Sequence, residues 1–306
     1  YLNITYAEWI SRWPKWSDKI AAMNEDVKKH IPKKYKYKCE IIGDLMADIK
    51  NQKKVGLKTF ETNWVALLPG SKKSKLSVGI PYFLEIADHI AKKGSNINLI
   101  IPIAPTTNIG EYLFYQSSKN PISKYYSSKI KKINDINNSI FDYVIETSKN
   151  TKIYLTKKHP CYEILKECNL AITTVGANTA ELAALNLPMI VVLPTQHLNV
   201  MNSWDGILGI IGKITFINKI FTFVVTSWYL KKKKFFAWPN IKAKKLIVPE
   251  RIGKILPKQI AEEAIFLLKN KNYLKDQKNN LLKQRGKTGA VEKLSLIIFN
   301  SIKNLN

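Results

Sequence analysis

The feature that most constrains this chain is a run of about 160 residues in which short apolar segments alternate with helical patterns. Trp64–Leu68, Asn98–Ile103, Lys152–Leu155, Leu170–Thr174 and Met189–Leu193 read as strands, and Tyr37–Ile42 as an earlier one. Between them, Leu76, Ile80, Phe83, Leu84, Ala87 and Ile90 fall on one helical face. Shorter helices are expected after Gly43-Asp44 to Ile49, over Cys161–Cys168 and over Asn178–Leu185. Strand–helix alternation implies an α/β fold with a doubly wound parallel sheet. Ala66–Leu68, Leu99–Ile103 and Met189–Leu193 are apolar without interruption, as strands covered on both faces must be. Residues 106–135 are polar and read as a loop holding a helix. C-terminal helices are expected over Ile260–Leu268 and Ala290–Ile302. Tyr6, Trp9, Trp13 and Trp16 suit an amphipathic helix running from Ala7 to Ile10 and beyond, broken at Pro14.

Length suggests two domains. The formal net charge of +26 raises nucleic acid as a partner, but its composition argues against one. Only Arg12, Arg251 and Arg285 are arginines; the other 46 basic residues are lysines, which lack the planar fork that reads phosphates and base edges bidentately. An anionic membrane surface is the partner such a charge would attract. Cys39, Cys161 and Cys168 are odd in number and contain no CxxC, so neither a disulfide framework nor a zinc site is expected. His30, His89, His159 and His197 are scattered, with no metal-ligand spacing. No signal peptide opens the chain, and Tyr1 in place of Met suggests that the natural N-terminus lies upstream.

Doubly wound sheets bind ligands beyond the carboxyl ends of their strands. Two segments stand there. Leu67-Leu68-Pro69-Gly70-Ser71-Lys72 is a strand end, a glycine turn and a helix start, where backbone N–H groups, the Ser71 hydroxyl and the Lys72 charge could face phosphate. Thr173-Thr174-Val175-Gly176-Ala177-Asn178-Thr179-Ala180-Glu181 repeats the pattern, with a carboxylate one turn into the helix that could accept hydrogen bonds from ribose hydroxyls. Either turn alone is an ordinary strand-to-helix connection, in which Asn178 or Thr179 caps the helix. Two in one sheet point to a ligand. Pro239-Asn240 and Val248-Pro249-Glu250 read by themselves as turn residues.

Taken in order, these segments resemble the lipid-A-disaccharide synthase family of inverting glycosyltransferases. Ile42–Asp48 resembles its VGHPLAD segment, Leu67–Lys72 its LLPGSR, Gly176–Glu181 with Leu187–Val191 its SGTAxLE…PMVV block, and Trp238-Pro239-Asn240 with Ile247–Glu250 its LPNLLAGRELVPE. The match runs from about Lys36 to Leu268. It implies two facing nucleotide-type domains, with the UDP-sugar held by the C-terminal one. The reaction implied is metal-independent transfer of an acylated glucosamine from UDP to a lipid-linked sugar acceptor at the cytoplasmic face of the inner membrane, with no cofactor. By resemblance, residues 1–50 end the acceptor-side domain and its linker, 51–285 bind the UDP-sugar, and 286–306 form a helix packing back on the first domain. Gly70, Ser71, Lys72, Gly176, Asn178, Thr179, Glu181 and Asn240 are the implied donor-site residues; none is assigned as catalytic. The chain departs from the pattern at Asp44-Leu45 for His-Pro, Lys72 for Arg and Val175-Gly176-Ala177 for Ser-Gly-Thr. A non-catalytic nucleotide-sugar-binding homologue, or a soluble epimerase or glycosyltransferase of the same fold, stays open.

An apolar insertion over 204–238 carries its own expectation. Ile214–Leu230 holds one charge, Lys219, and is followed by Lys231, Lys232, Lys233 and Lys234 among the aromatics Trp228, Tyr229, Phe235, Phe236 and Trp238. Its 17 residues are at the lower limit for crossing a bilayer, and the lysine and aromatic flank suits a segment lying in the membrane interface.

Overall fold

The computed structural model describes residues 1–8, 13–49, 55–57, 62–136, 138–197, 235–284, 286 and 288–303. The chain divides into two compact units, residues 1–52 with 285–306 and residues 53–284.

In the first unit, β1 (Ile4–Ala7), β2 (Lys19–Ala22) and β3 (Cys39–Ile41) form a parallel sheet in that order. Helix α1 (Glu25–His30) lies between β2 and β3 and is capped by Asn24, whose side chain accepts from the Val27 N–H. The amphipathic helix expected from Ala7 to Ile10 and beyond does not start at Ala7: Ile4–Ala7 is a strand paired with Lys19–Ala22, of which Ile20, Ala21 and Ala22 are buried. Residues 9–12, with Trp9, lie outside the described set. The expected strand Tyr37–Ile42 shrinks to β3, because Lys33–Lys38 winds as a 3-10 turn.

In the second unit, eight strands stand in the order β11-β10-β9-β4-β5-β8-β7-β6. They are β4 (Asn63–Leu68), β5 (Ile97–Pro102), β6 (Ile130–Asp135), β7 (Tyr143–Thr147), β8 (Lys152–Thr156), β9 (Leu170–Thr174), β10 (Met189–Pro194) and β11 (Glu250–Gly253). All pair in parallel except β7, which runs antiparallel to both β8 and β6. The helices are α2 (Lys73–Lys93), α3 (Ile109–Gln116), α4 (Tyr162–Glu167), α5 (Asn178–Ala184), α6 (Trp238–Ala243), α7 (Pro257–Lys269) and α8 (Lys271–Gln284), with α9 (Ala290–Lys303) returning to the first unit. This is the doubly wound α/β architecture expected.

Two-sided burial is visible residue by residue. Val65, Leu67, Leu99, Ile101, Leu170, Ile172, Ile190 and Val192 share one core with Leu76, Ile80, Phe83 and Ile90 of α2 and Ile260 and Ala264 of α7. The alternate set, Ala66, Ile100, Ala171, Met189 and Val191, is equally inaccessible. Each such branched side chain contributes roughly 1.5–3 kcal/mol on burial, which drives these strands to the centre of the sheet. The polar stretch 106–135, expected to be a loop holding a helix, holds α3 and ends in β6. With Lys131 and Lys132 exposed on it, β6 forms the sheet's outer edge, where charge is tolerated. Among the described residues no helix is long and apolar enough to cross a membrane, and no three His, Cys, Asp or Glu side chains gather as a metal site.

Candidate functional site

The centre of the second sheet is where its winding reverses. From β4 the chain crosses to β5 on one side; from β9 it crosses to β10 on the other, although β4 and β9 are themselves paired. The helices leaving two such strands diverge, and a crevice opens outside their carboxyl ends. Leu68 lies opposite Thr173 in the ladder, so the Pro69-Gly70-Ser71 and Val175-Gly176-Ala177 turns leave the sheet side by side.

Both turns depend on glycine. Gly70 has φ +115° and Gly176 φ +155°, conformations that side chains rarely adopt. Space is short as well. A Cβ on Gly70 would come within 2.8 Å of the Lys75 Cβ, and one on Gly176 within 3.1 Å of the Lys75 Nζ. Lys75 is therefore the residue that joins the turns. It rises from the first turn of α2, passes Gly70 and donates from Nζ to the Val175 carbonyl at 3.0 Å. Helix α2 can sit this close because Gly79 packs on the first turn, where a Cβ would lie only 2.4 Å from the Pro69 carbonyl oxygen.

The sequence-nominated residues divide into two groups. Gly70, Ser71, Lys72, Gly176, Asn178 and Glu181 line the two turns and the helix starts that follow them. Ser71 and Lys72 are exposed, and the Ser71 carbonyl meets the Thr106 hydroxyl at 3.5 Å. Asn178 opens α5 and is half-buried. Glu181 is half-buried one turn in; burial pushes its carboxyl above the ordinary range, and nearby His159 partly offsets this. Among the described residues no protein hydrogen bond reaches that carboxylate.

Thr179 and Asn240 belong to the second group. The Thr179 hydroxyl is fully buried, donates to the Gly176 carbonyl at 2.9 Å and accepts from the Trp238 N–H at 3.0 Å. It ties the turn to the start of α6. Asn240, also expected at the donor site, has a wholly buried side chain whose hydrogen-bonding positions are all taken within the protein. Its Nδ2 donates to the Val248 carbonyl and the Glu250 carboxylate, both at 2.8 Å, while its Oδ1 accepts from the N–H groups of Ile247 at 2.6 Å and Val248 at 2.9 Å. Glu250 in turn accepts from the Phe236 and Ala237 N–H groups, holding the residues that lead into α6. The WPN and VPE segments are thus a folding device that braces α6 against α5. Lys219, Trp228, Lys231, Lys232, Lys233 and Lys234 lie outside the described residues.

Sequence reasoning passed over Lys75. The signal was present: Lys75 lies three residues beyond Lys72, on the same helical side, which a reading confined to contiguous motif letters ignores. His197 is buried, with Nε2 2.6 Å from the Tyr126 hydroxyl. The three cysteines are buried, and the Cys168 thiol donates to the Ile164 carbonyl.

No family model matches the chain. It is similar to a lipid-A-disaccharide synthase of Sulfurihydrogenibium sp. (strain YO3AOP1), at 27% identity over 238 residues, covering 76% of this chain and 50% of the relative. A second lipid-A-disaccharide synthase, from Francisella philomiragia subsp. philomiragia, is 21% identical over 286 residues, covering 91% of this chain and 60% of the relative. The chain thus spans half to three-fifths of the length of these curated relatives. Among solved structures, a putative UDP-N-acetylglucosamine 2-epimerase from Listeria monocytogenes superposes with a TM-score of 0.54 at 10% identity, covering 99% of this chain and 69% of the other. A co-structure of S. aureus MnaA with UDP gives 0.50 at 11% identity, covering 95% and 62%. At such identities these two establish a shared fold. The motif resemblance is matched by both curated relatives, which carry the family's name.

Proposed function

We propose that this chain is the donor-binding portion of a glycosyltransferase resembling lipid-A-disaccharide synthase, and that the paired Gly70 and Gly176 turns hold the diphosphate of a UDP-sugar. The observation that carries the reading is the Lys75 bridge: one ammonium lies between two glycine turns at the reversal point of a parallel sheet. Such a point favours a ligand, and backbone N–H groups with a fixed cation favour an anionic one. Lys72 and Lys75 supply positive charge to the leaving diphosphate. Glu181 accepts from the ribose hydroxyls. The acceptor hydroxyl attacks the anomeric carbon from the face opposite the diphosphate, its proton passes to a base, and the C–O bond to UDP breaks with inversion. Stabilising the departing UDP is the part of the work that the described residues support.

The acylated glucosamine donor and lipid monosaccharide acceptor come from the motif resemblance, and both curated relatives bear the name lipid-A-disaccharide synthase. Peripheral attachment to the cytoplasmic face of the inner membrane rests on Lys231–Lys234 and their aromatic neighbours, and on the chain's excess of lysine. Calorimetric titration with UDP and UDP-N-acetylglucosamine tests the donor site; absence of heat with both removes it. Co-sedimentation with anionic liposomes at low salt tests the attachment, and an unbound wild-type chain rejects it.

A further inference from the structure

Next to the glycine turns lies a groove of about 550 Å³, within the roughly 300–1,000 Å³ typical of small-molecule sites. It is built at the carboxyl ends of β5 and β8. Thr106, Thr107 and Asn108 follow β5, Lys157 follows β8, Glu111 comes from the first turn of α3, and Tyr143 opens β7. Tyr143 reaches this edge only because β7 is antiparallel: its first residue pairs with Leu155, near the last residue of β8. The Asp142 carboxylate fixes this corner by accepting from the Lys157 N–H at 2.6 Å.

The charge of the groove decides what suits it. The N-terminus of α3 is already neutralised: the Asn108 side chain accepts from the Gly110 N–H at 2.9 Å, and the Glu111 carboxylate accepts from the Asn108 N–H at 3.3 Å. The Lys157 ammonium lies 4.7 Å from the centre of the Tyr143 ring and hydrogen-bonds to its hydroxyl, with the Asp142 and Asp135 carboxylates nearby. No excess positive charge is left to favour a phosphate. Two threonine hydroxyls, an amide and a phenol–ammonium pair around an aromatic body offer mixed donors and acceptors to a neutral molecule rich in hydroxyls.

We infer that this groove is a binding subsite for a neutral sugar ring, separate from the turns that take the diphosphate. The choice of a sugar over another polyol rests on the glycosyltransferase reading; the groove and its charge balance do not.

Saturation-transfer NMR on the full chain, with N-acetylglucosamine as the probe at up to about 20 mM, reads such weak association. UDP binding is measured calorimetrically in parallel. Saturation transfer to the sugar is expected in the wild type and should persist with UDP present. Tyr143→Ala should weaken it roughly fivefold or more, Tyr143→Phe less, with UDP affinity changed under about twofold. Thr106→Trp, at an exposed position, fills the groove without touching the core and should abolish the signal. Loss of the signal on adding UDP, indifference to both Tyr143→Ala and Thr106→Trp, or no transfer from the wild type would each overturn the inference. A Tyr143-dependent sugar signal in a chain that ignores UDP would leave the groove standing and remove the donor site.

Discussion

Replacing Lys75 by methionine keeps most of the side-chain volume and removes its ammonium. Two consequences can be sized. The Nζ–Val175 carbonyl bond is charge-assisted and part-buried, so its loss costs about 1.5–3 kcal/mol of stability at most, less whatever water restores at a half-buried site. If the same ammonium faces a diphosphate, the variant also loses one charge-assisted contact to UDP. That is again about 1.5–3 kcal/mol, or roughly a 10- to 150-fold rise in Kd. Lys75→Arg restores charge but needs more room at a turn where even a Cβ on Gly176 would come within 3.1 Å of Nζ, so it should recover affinity only in part. Calorimetry with UDP on the three proteins, beside thermal melts, separates the effects. A Lys75→Met protein that melts lower yet binds UDP within about twofold of wild type would show that Lys75 only pins the turns together, and the cation-mediated reading would be refuted.

Three further outcomes are expected. Glu85 is half-buried, which alone would raise its pKa, but hydrogen bonds from the Ser128 N–H and from the side chains of Ser128, Lys149 and Ser127 hold it at about 2. The ionised form is therefore favoured by folding. Its contribution, on the order of 2 kcal/mol after discounting the partly exposed Lys149, is complete above about pH 5 and lost as pH falls toward 2. Glu85→Gln should lower the melting temperature at neutral pH and flatten the acid limb; parallel melting curves from pH 7 to 3 would contradict this. Glu181 behaves oppositely: with its pKa raised by burial, its stabilising effect is present at low pH and lost as pH rises through the folded value. Glu181→Gln should accordingly raise the melting temperature near neutrality while weakening UDP binding about tenfold or more, and a variant that gains no stability or binds UDP unchanged would argue against a ribose-binding carboxylate. Asn240→Ala strands buried groups at Ile247, Val248 and Glu250 and should destabilise by about 3–5 kcal/mol in denaturant melts. Asn240→Asp would not rescue it, because a second carboxylate would face Glu250 across 2.8 Å.

The sheet was legible in the chain because central parallel strands are buried on both faces, and that demand writes itself as unbroken apolar runs such as Leu99–Ile103 and Met189–Leu193. Strands with an open or polar side leave a weaker trace. Lys131 and Lys132 disguised β6, and the short β1 and β2 carry too few residues to distinguish a strand from a helix by periodicity.

At the site, local sequence determined that glycine turns follow strands at Leu68 and Thr174, since strand ends and turn residues are properties of contiguous chain. Strand order is not such a property. That β4 lies beside β9, 102 residues away from Leu68 to Leu170, is settled by how the helices cover the two faces of the sheet. Only this adjacency places Lys75 across both turns. The same holds for Asn240: its letters do not reveal that its side chain is buried and braces the Ile247–Glu250 segment, because burial is a quantity defined by the packed surroundings.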